Sequence, residues 1–307
     1  MFGLKHCSTR ATLLIVVGGF VGGGCTPKQQ TGYTSPDAAV QSLVAAERTH
    51  SVDELKSVLG SDSDDLILSG DSVQDRENAD RFLSLYDEKH QLKPNPDESV
   101  TLLIGKTDWP FPIPLVKNAK SDHWVFDTAR GKDEIINRRI GRNEISTIGV
   151  CMAIIDAERD FVKRNSHTTA VPEYAAKFLS DPGKHNGLYW DSKPGEDESP
   201  LGPLVAAATS EGYPIGQRHP YHGYYYRILT SQGANGTLGA YDYIVNGKLV
   251  GGVGVIAWPA DYGNSGVMTF ITNHEGSVFQ KDLGPDTEKA AHAITVFDPD
   301  PTWKHAN

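Results

Sequence analysis

The stretch KDEIINRRIGRNEISTIGVCMAIIDAERDFVKRN, Lys132–Asn165, divides the chain into two kinds of sequence. Ile135, Ile136, Ile140, Ile145, Ile148, Met152, Ile155 and Val162 recur mostly at steps of three, four or seven, with some irregularity, the repeat of one long helix. Arg138, Arg142, Glu158 and Lys163 read as its polar face, and Gly141 and Gly149 as kink positions. Downstream, a short helix is expected over 172–180, closed by Asp181-Pro182-Gly183, and another over 204–209. From Gly223 the pattern is β: 224–230, 241–245, 252–258, 267–272 and 277–280 read as strands. Asn246-Gly247 marks a hairpin between the second and third of these, and Glu275-Gly276 one between the last two. Upstream, Ser35-Pro36 opens a helix, Ser51 with Glu54 forms a capping box, and a third helix runs over 76–90 until Pro94 and Pro96 stop it. Strands at 99–105, 113–116 and 123–127 follow. Helices, then a small antiparallel sheet, then one long helix on a β-meander define an α+β fold.

The chain has 307 residues, enough for roughly two domains at about 150 residues each. Apolar residues make up 38% and charged residues 22%, an ordinary globular balance. The net charge of −10 excludes a general nucleic-acid binder, so no nucleic-acid partner is expected. A single apolar run excludes a multi-span membrane protein. That run, 11–21, follows Lys5, His6 and Arg10 and leads through Gly22-Gly23-Gly24 to Cys25. It resembles a bacterial lipoprotein signal, with Cys25 as the lipidated first residue of the mature chain; Gly22 stands where such signals usually carry Leu. Cleavage before Cys25 removes Lys5, Arg10 and no acid, so the mature chain is two charges more negative than the whole. An acidic body is repelled by anionic lipid, so the lipid rather than the fold would hold it at the membrane. The expected divisions are 1–24 signal peptide, 25–34 tether, 35–130 N-terminal α+β domain and 131–307 helix-plus-sheet domain. Localisation follows as the bacterial cell envelope. Thr26 after the cysteine, rather than Asp, favours delivery to an outer membrane by the sorting rule of such lipoproteins.

Motifs with chemistry are few. Gly252-Val253-Gly254-Val255-Ile256-Ala257 fits G-x-G-x-x-A, but it reads as a strand and lacks the helix start a dinucleotide needs. Gly263-Asn264-Ser265-Gly266 lacks the last glycine of a nucleophile elbow. His219 and His222, with His185, offer only unspecific metal spacing, and the acids at 62–65 and 298–300 lack a calcium-loop pattern. No metal and no cofactor is therefore expected. Cys151 reads as a small buried apolar residue. Arg138, Arg139 and Arg142 read as partners of local acids, and Trp109-Pro110 as an edge at the domain junction. Tyr221, Tyr224, Tyr225 and Tyr226 are the densest aromatic group. On a strand Tyr224 and Tyr226 point one way and Tyr225 the other. One set packs in the core; the other, with His222, is the candidate interaction surface.

WPFPIPLVK (109–117), INRRIGRNE (136–144), GLYW (187–190), SPLGPL (199–204), YHGYYYRILT (221–230), YGNSGVMTF (262–270) and KDLGPDT (281–287) resemble the bacterial domain-of-unknown-function family 2950, over about residues 35–303. The resemblance implies an exported envelope protein and no particular activity. The element order of the first half is similar to a cystatin-like roll. The long helix with its tyrosine strand and SGVMTFITNHEGSVF (265–279) is similar to the head of type IV pilins and pseudopilins. The helix lacks the strongly apolar N-terminal half of a pilin, which argues against a filament. The expected function is a lipid-anchored, non-catalytic interaction or assembly module of the envelope, held to the membrane by its N-terminal lipid and engaging an envelope protein. Two other readings stay open. One is a small-molecule-binding module using the cone of the roll; the other is an envelope hydrolase acting on peptide or glycan with His222, His274 or Glu275 as acid–base groups.

Overall fold

The computed structural model describes residues 30–166, 171–193 and 195–306. The signal sequence and Cys25 lie outside them. Helices α1 (Pro36–Thr49), α2 (Val52–Leu59), α3 (Asp64–Ile67) and α4 (Ser72–Glu88) open the chain. Ser35 caps α1 by accepting from Ala38 N at 3.1 Å, and Ser51 caps α2 through Glu54 N at 3.3 Å. Then come β1 (His90–Pro94), β2 (Val100–Ile104), β3 (Trp109–Pro110), β4 (Leu115–Lys117) and β5 (Trp124–Phe126), a sheet ordered β1-β2-β4-β5 with β3 paired to β2. β2 alternates buried and half-buried positions, so one face joins Leu43, Leu59, Leu115 and Phe126 in the core of the roll. The third expected helix stops at Glu88. The chain after it is drawn into β1, with His90 opposite Ile104 and Pro94 at the open edge, where its missing N–H costs nothing.

Helix α5 spans Thr128–Asn165 and starts on the Asp127 carboxylate, which accepts from Arg130 N at 3.3 Å. Ile135 packs on the roll, whereas Val150, Cys151, Ile154, Ile155 and Phe161 pack on the second half. The expected boundary at 130/131 thus falls in the first turn of a helix that both halves share. The second half adds α6 (Gly202–Glu211), β6 (Tyr224–Leu229), β7 (Ser231–Gln232), β8 (Tyr241–Asp242), β9 (Ile244–Val245), β10 (Lys248–Leu249), β11 (Gly254–Pro259), β12 (Met268–Asn273), β13 (Val278–Asp282), α7 (Thr287–Ala293) and β14 (Lys304–His305). The main sheet is antiparallel in the order β14-β13-β12-β11-β6. All six residues of β11 are buried, because α5 covers one face of the sheet and α7 the other.

Three expectations need correction. Residues 172–180 form no helix, because long-range partners take the amides: Tyr174 N donates to Leu249 O at 2.7 Å and Ala175 N to the Glu158 carboxylate at 2.9 Å. Asn246-Gly247, with both φ positive, closes a hairpin as expected, but of a separate ribbon, β9 with β10. In the main sheet β11 pairs directly with β6. On α5, Ile145 is 74% and Met152 50% exposed, while Arg139, Asn143, Thr147 and Glu158 are buried.

That inversion joins the halves. Arg139 is 4% exposed. Its guanidinium donates to the carbonyls of Asp65 at 2.6 Å and Leu66 at 2.7 Å, and to Asn264 Oδ1. Asn264 Nδ2 donates in turn to Leu68 O and to Asp261 Oδ2, both at 2.9 Å. Beside it, Asp71 caps α4 through Oδ1 while its Oδ2 accepts from the Tyr213 hydroxyl at 2.8 Å and from Gly223 N at 2.9 Å. Gly223 has φ +75°, and a Cβ there would lie 2.5 Å from Asn143 Nδ2, so glycine is required twice over. Glu144 accepts from Val267 N and Met268 N, each at 3.0 Å. Removing a buried donor leaves its acceptors desolvated at about 1–3 kcal/mol each. Arg139→Ala is therefore expected to lower stability by about 3 kcal/mol or more, with new proteolytic cleavage in 60–72. Urea unfolding and limited proteolysis check both.

Candidate functional site

The tyrosine cluster forms with the alternation that its strand imposes. Tyr224 is fully buried, with its hydroxyl donating to Met268 O at 3.0 Å. Tyr226, on the same face, donates to Tyr221 O at 3.3 Å and accepts from the Thr147 hydroxyl at 3.4 Å. Burial pushes both phenols up. Tyr225 turns to the α7 face, tilted on Trp258 with ring centroids 5.9 Å apart and Arg218 5.1 Å above it. Tyr221 meets Tyr213 edge-on at 4.9 Å, and burial followed by the Glu211 carboxylate raises its phenol to about 12. His222, at φ +50°, lies 3.6 Å from Glu211 and packs on Tyr213 and Tyr221. The candidate interaction surface is thus a set of rings packed into both faces of the sheet, because α7 covers the face that the sequence leaves open.

The groups offered for acid–base chemistry do not converge. His222 precedes β6 at the end where Tyr224 pairs with Pro259, whereas His274 follows β12 at the end where Gly254 pairs with Asn273. Five residues of register separate the ends, about 17 Å at strand rise. His274 sits between Tyr174 and Tyr243, and Glu275 accepts from the Thr237 hydroxyl at 2.9 Å. His185 stacks on Trp190 at 4.2 Å, away from His219, whose ring nitrogen lies 3.2 Å from Gln217. Among the described residues no three His, Cys, Asp or Glu side chains gather as metal ligands. Ser265 is fully buried, and its hydroxyl accepts from Asp261 N at 2.9 Å and donates to Asp261 O at 3.1 Å. Gly254 opens a strand, as its surroundings in the sequence predict.

Two side chains of α5 carry strongly displaced acidities. Burial pushes the Cys151 thiol up to about 12, which leaves it protonated and inert. Glu158, read from sequence as surface, is fully buried two turns further along the same face. Its Oε2 accepts from Ala175 N, its Oε1 has no partner among the described residues, and burial raises the carboxyl to about 8. The spacing Thr147, Cys151, Ile154, Glu158 marks this stripe in the sequence, once an acid is admitted to an apolar face.

Two clefts open at the surface. One, of about 580 Å³, lies between α6 and residues 189–192 and 198–199. Tyr189, Trp190, Asp191 and Glu198 give it aromatic walls and two carboxylates. The Tyr189 hydroxyl donates to Asp191 at 2.7 Å, which holds that phenol at about 12. The other, of about 390 Å³, lies beside α7 with Ile271, Leu283, Ile294 and Trp303 as its floor and Lys281 over the Trp303 ring. Neither is lined by His222, His274, Glu275, Tyr225 or Asp242.

The family described as protein of unknown function (DUF2950) matches residues 30–306. No curated protein and no solved structure matches the chain. No helix of the described residues is long and apolar enough to cross a membrane.

Glu158 gives a pH signature. Between the ordinary carboxylate value of about 4.3 and its raised value of about 8, the folded chain holds a proton that the unfolded chain has released. Stability from this group therefore falls as pH rises through that window and is flat above it. Glu158→Gln is expected to melt higher than the native chain at pH 8 and to converge with it near pH 5. Thermal melts across that range test this; parallel curves count against the buried proton.

Proposed function

The chain belongs to the DUF2950 family of proteins of unknown function, and we propose that it is a lipid-anchored envelope protein whose body is a non-catalytic interaction module. The observation that carries the reading is the outer face of α5, where Ile145 and Met152 stand exposed on a helix fixed into both halves. Two large apolar side chains two turns apart on a rigid helix form a ready partner contact. The absence of convergence among His222, His274 and Glu275 supports the non-catalytic half of the reading. The signal-like N-terminus supports export, with a diacyl group on Cys25 holding the protein at the membrane. Cys25→Ala is expected to abolish acyl labelling in cells and move the protein from the membrane to the soluble fraction. An in-cell photo-crosslinker at Met152 is expected to give one discrete adduct, and one at the exposed Asp122 none. Unchanged fractionation sinks the anchor, and the absence of any adduct from Met152 sinks the module.

The cleft beside α6 favours a second reading, as a binder of small cationic ligands. Ring faces of Tyr189 and Trp190 with the carboxylates of Asp191 and Glu198 suit an organic amine. Calorimetry with the polyamine spermidine is expected to show binding that weakens at least about tenfold in Asp191→Asn combined with Glu198→Gln. Equal heats from both chains exclude it.

A further inference from the structure

The outer stripe of α5 has a palindromic charge pattern. Its centre is Gly149, flanked by the exposed Ile145 and Met152. Toward the N-terminus the stripe carries Arg142, Arg138 and Glu134; toward the C-terminus it carries Asp156, Asp160 and Arg164, with Lys163 the one charge whose mirror position, Ile135, is apolar. At about 100° per residue all of these lie within about 60° of the Gly149 direction. Arg142 and Asp156 stand seven residues either side of Gly149, Arg138 and Asp160 eleven, and Glu134 and Arg164 fifteen. In each pair the two charges are opposite.

An antiparallel copy crossing at Gly149 places each of these groups opposite the other member of its pair. We infer that α5 docks on α5 of a second copy of this chain, antiparallel, about a two-fold axis through Gly149. The inference rests on the interaction-module reading and names its partner. The apolar centre follows the same symmetry, since Ile145 and Met152 lie on one edge of the stripe and Met152 of each copy meets Ile145 of the other.

Two further observations agree. A glycine inside a helix costs about 1 kcal/mol relative to alanine, and a Cβ at Gly149 would meet nothing within 4 Å of its own chain. No internal contact requires the glycine, whereas close approach of a second helix does. Arg142 makes no ion pair among the described residues. It lies near Arg81 and Arg138, and burial first, then the Arg81 charge, lowers its pKa from the ordinary value, with Glu77 acting against them. A carboxylate from outside the chain relieves that crowding. Glu134 with Arg138 and Asp160 with Arg164 already pair within the helix at 2.6 and 2.5 Å. Docking joins them into an alternating quartet at each end.

The stripe is about 45 Å long at helical rise. A single helix pair buries less than the roughly 1,200 Å² of a standard stable interface. The dimer is therefore weak in free solution and gains from confinement of both copies to one membrane. The interface is isologous, as two-fold contacts are, and closes on itself.

The test uses the full chain in its own membrane. Gly149→Cys treated with a short bis-maleimide is expected to give a crosslinked dimer, and Asp133→Cys, on the opposite side of α5, none. Since a side chain at 149 itself widens the approach, co-expressed Ile145→Cys and Met152→Cys chains supply a second probe that the same axis brings together. Adding Arg142→Glu is expected to reduce the dimer at least tenfold, and adding Asp156→Arg to Arg142→Glu to restore it. Unchanged melting of each variant shows that folding is not what is read. Absence of dimer from both probes, or a dimer indifferent to charge reversal, overturns the inference. In that event a photo-crosslinker at Met152 separates the two claims. An adduct with a different envelope protein leaves the module reading standing without self-docking, and no adduct removes both.

Discussion

A single guanidinium, that of Arg139, leaves α5 between two halves that otherwise have separate apolar cores, and the placement of everything else follows from it. Its donors take the Asp65 and Leu66 carbonyls at the end of α3 and the Asn264 side chain in the β11–β12 connection. Those carbonyls have no ladder to join, and only a long side chain from the shared helix reaches them. Burial lowers the basicity of Arg139, with the Asp75 charge acting against that. The charge is tolerated because several neutral and acidic acceptors surround it, the condition under which a buried cation persists. Asp71, Asn143 and Glu144 repeat the same logic within a few residues, each tying backbone amides or carbonyls of one connection to another element. The two halves are therefore tied together through the inner side of α5.

That tie changes what the remaining surface can do. The sheet is covered on both faces, by α5 and by α7, so its tyrosines serve packing. The histidines at its two ends are held apart by the length of the strands. The buried polar groups Arg139, Asp71 and Glu144 lie along the junction, where they are satisfied largely by backbone. On the outside lie the long face of α5 and the clefts beside α6 and α7. A helix fastened along its inner side by polar contacts need not bury every apolar residue it carries, and Ile145 and Met152 are the residues left over.

The buried Glu158 belongs to the same economy of backbone partners. The irregular chain after Pro172 has an amide, Ala175 N, that no helix or strand satisfies, and the carboxyl supplies the acceptor. Its cost is a proton retained to unusually high pH, and its return is a loop held against the core without secondary structure. The helix expected over 172–180 fails for this reason: local propensity is overridden where distant groups satisfy the amides.

By itself the sequence determined the α+β class, the caps of α1 and α2, the long helix, the strand character of 224–230 and 252–258, both hairpin turns, and the family. These depend on local chemistry: capping hydroxyls, left-handed turns, and periodicity that neighbours in the chain set. Only the tertiary structure decided which side of α5 is inside, since apolar residues lie all around that helix and the buried face is chosen by polar partners far away in sequence. It also decided that β11 lies beside β6 rather than in the Asn246-Gly247 hairpin, and that α7 covers the tyrosine face. Pairing between strands more than twenty residues apart, and the burial of Arg139 and Glu158, are set by groups that no local window contains.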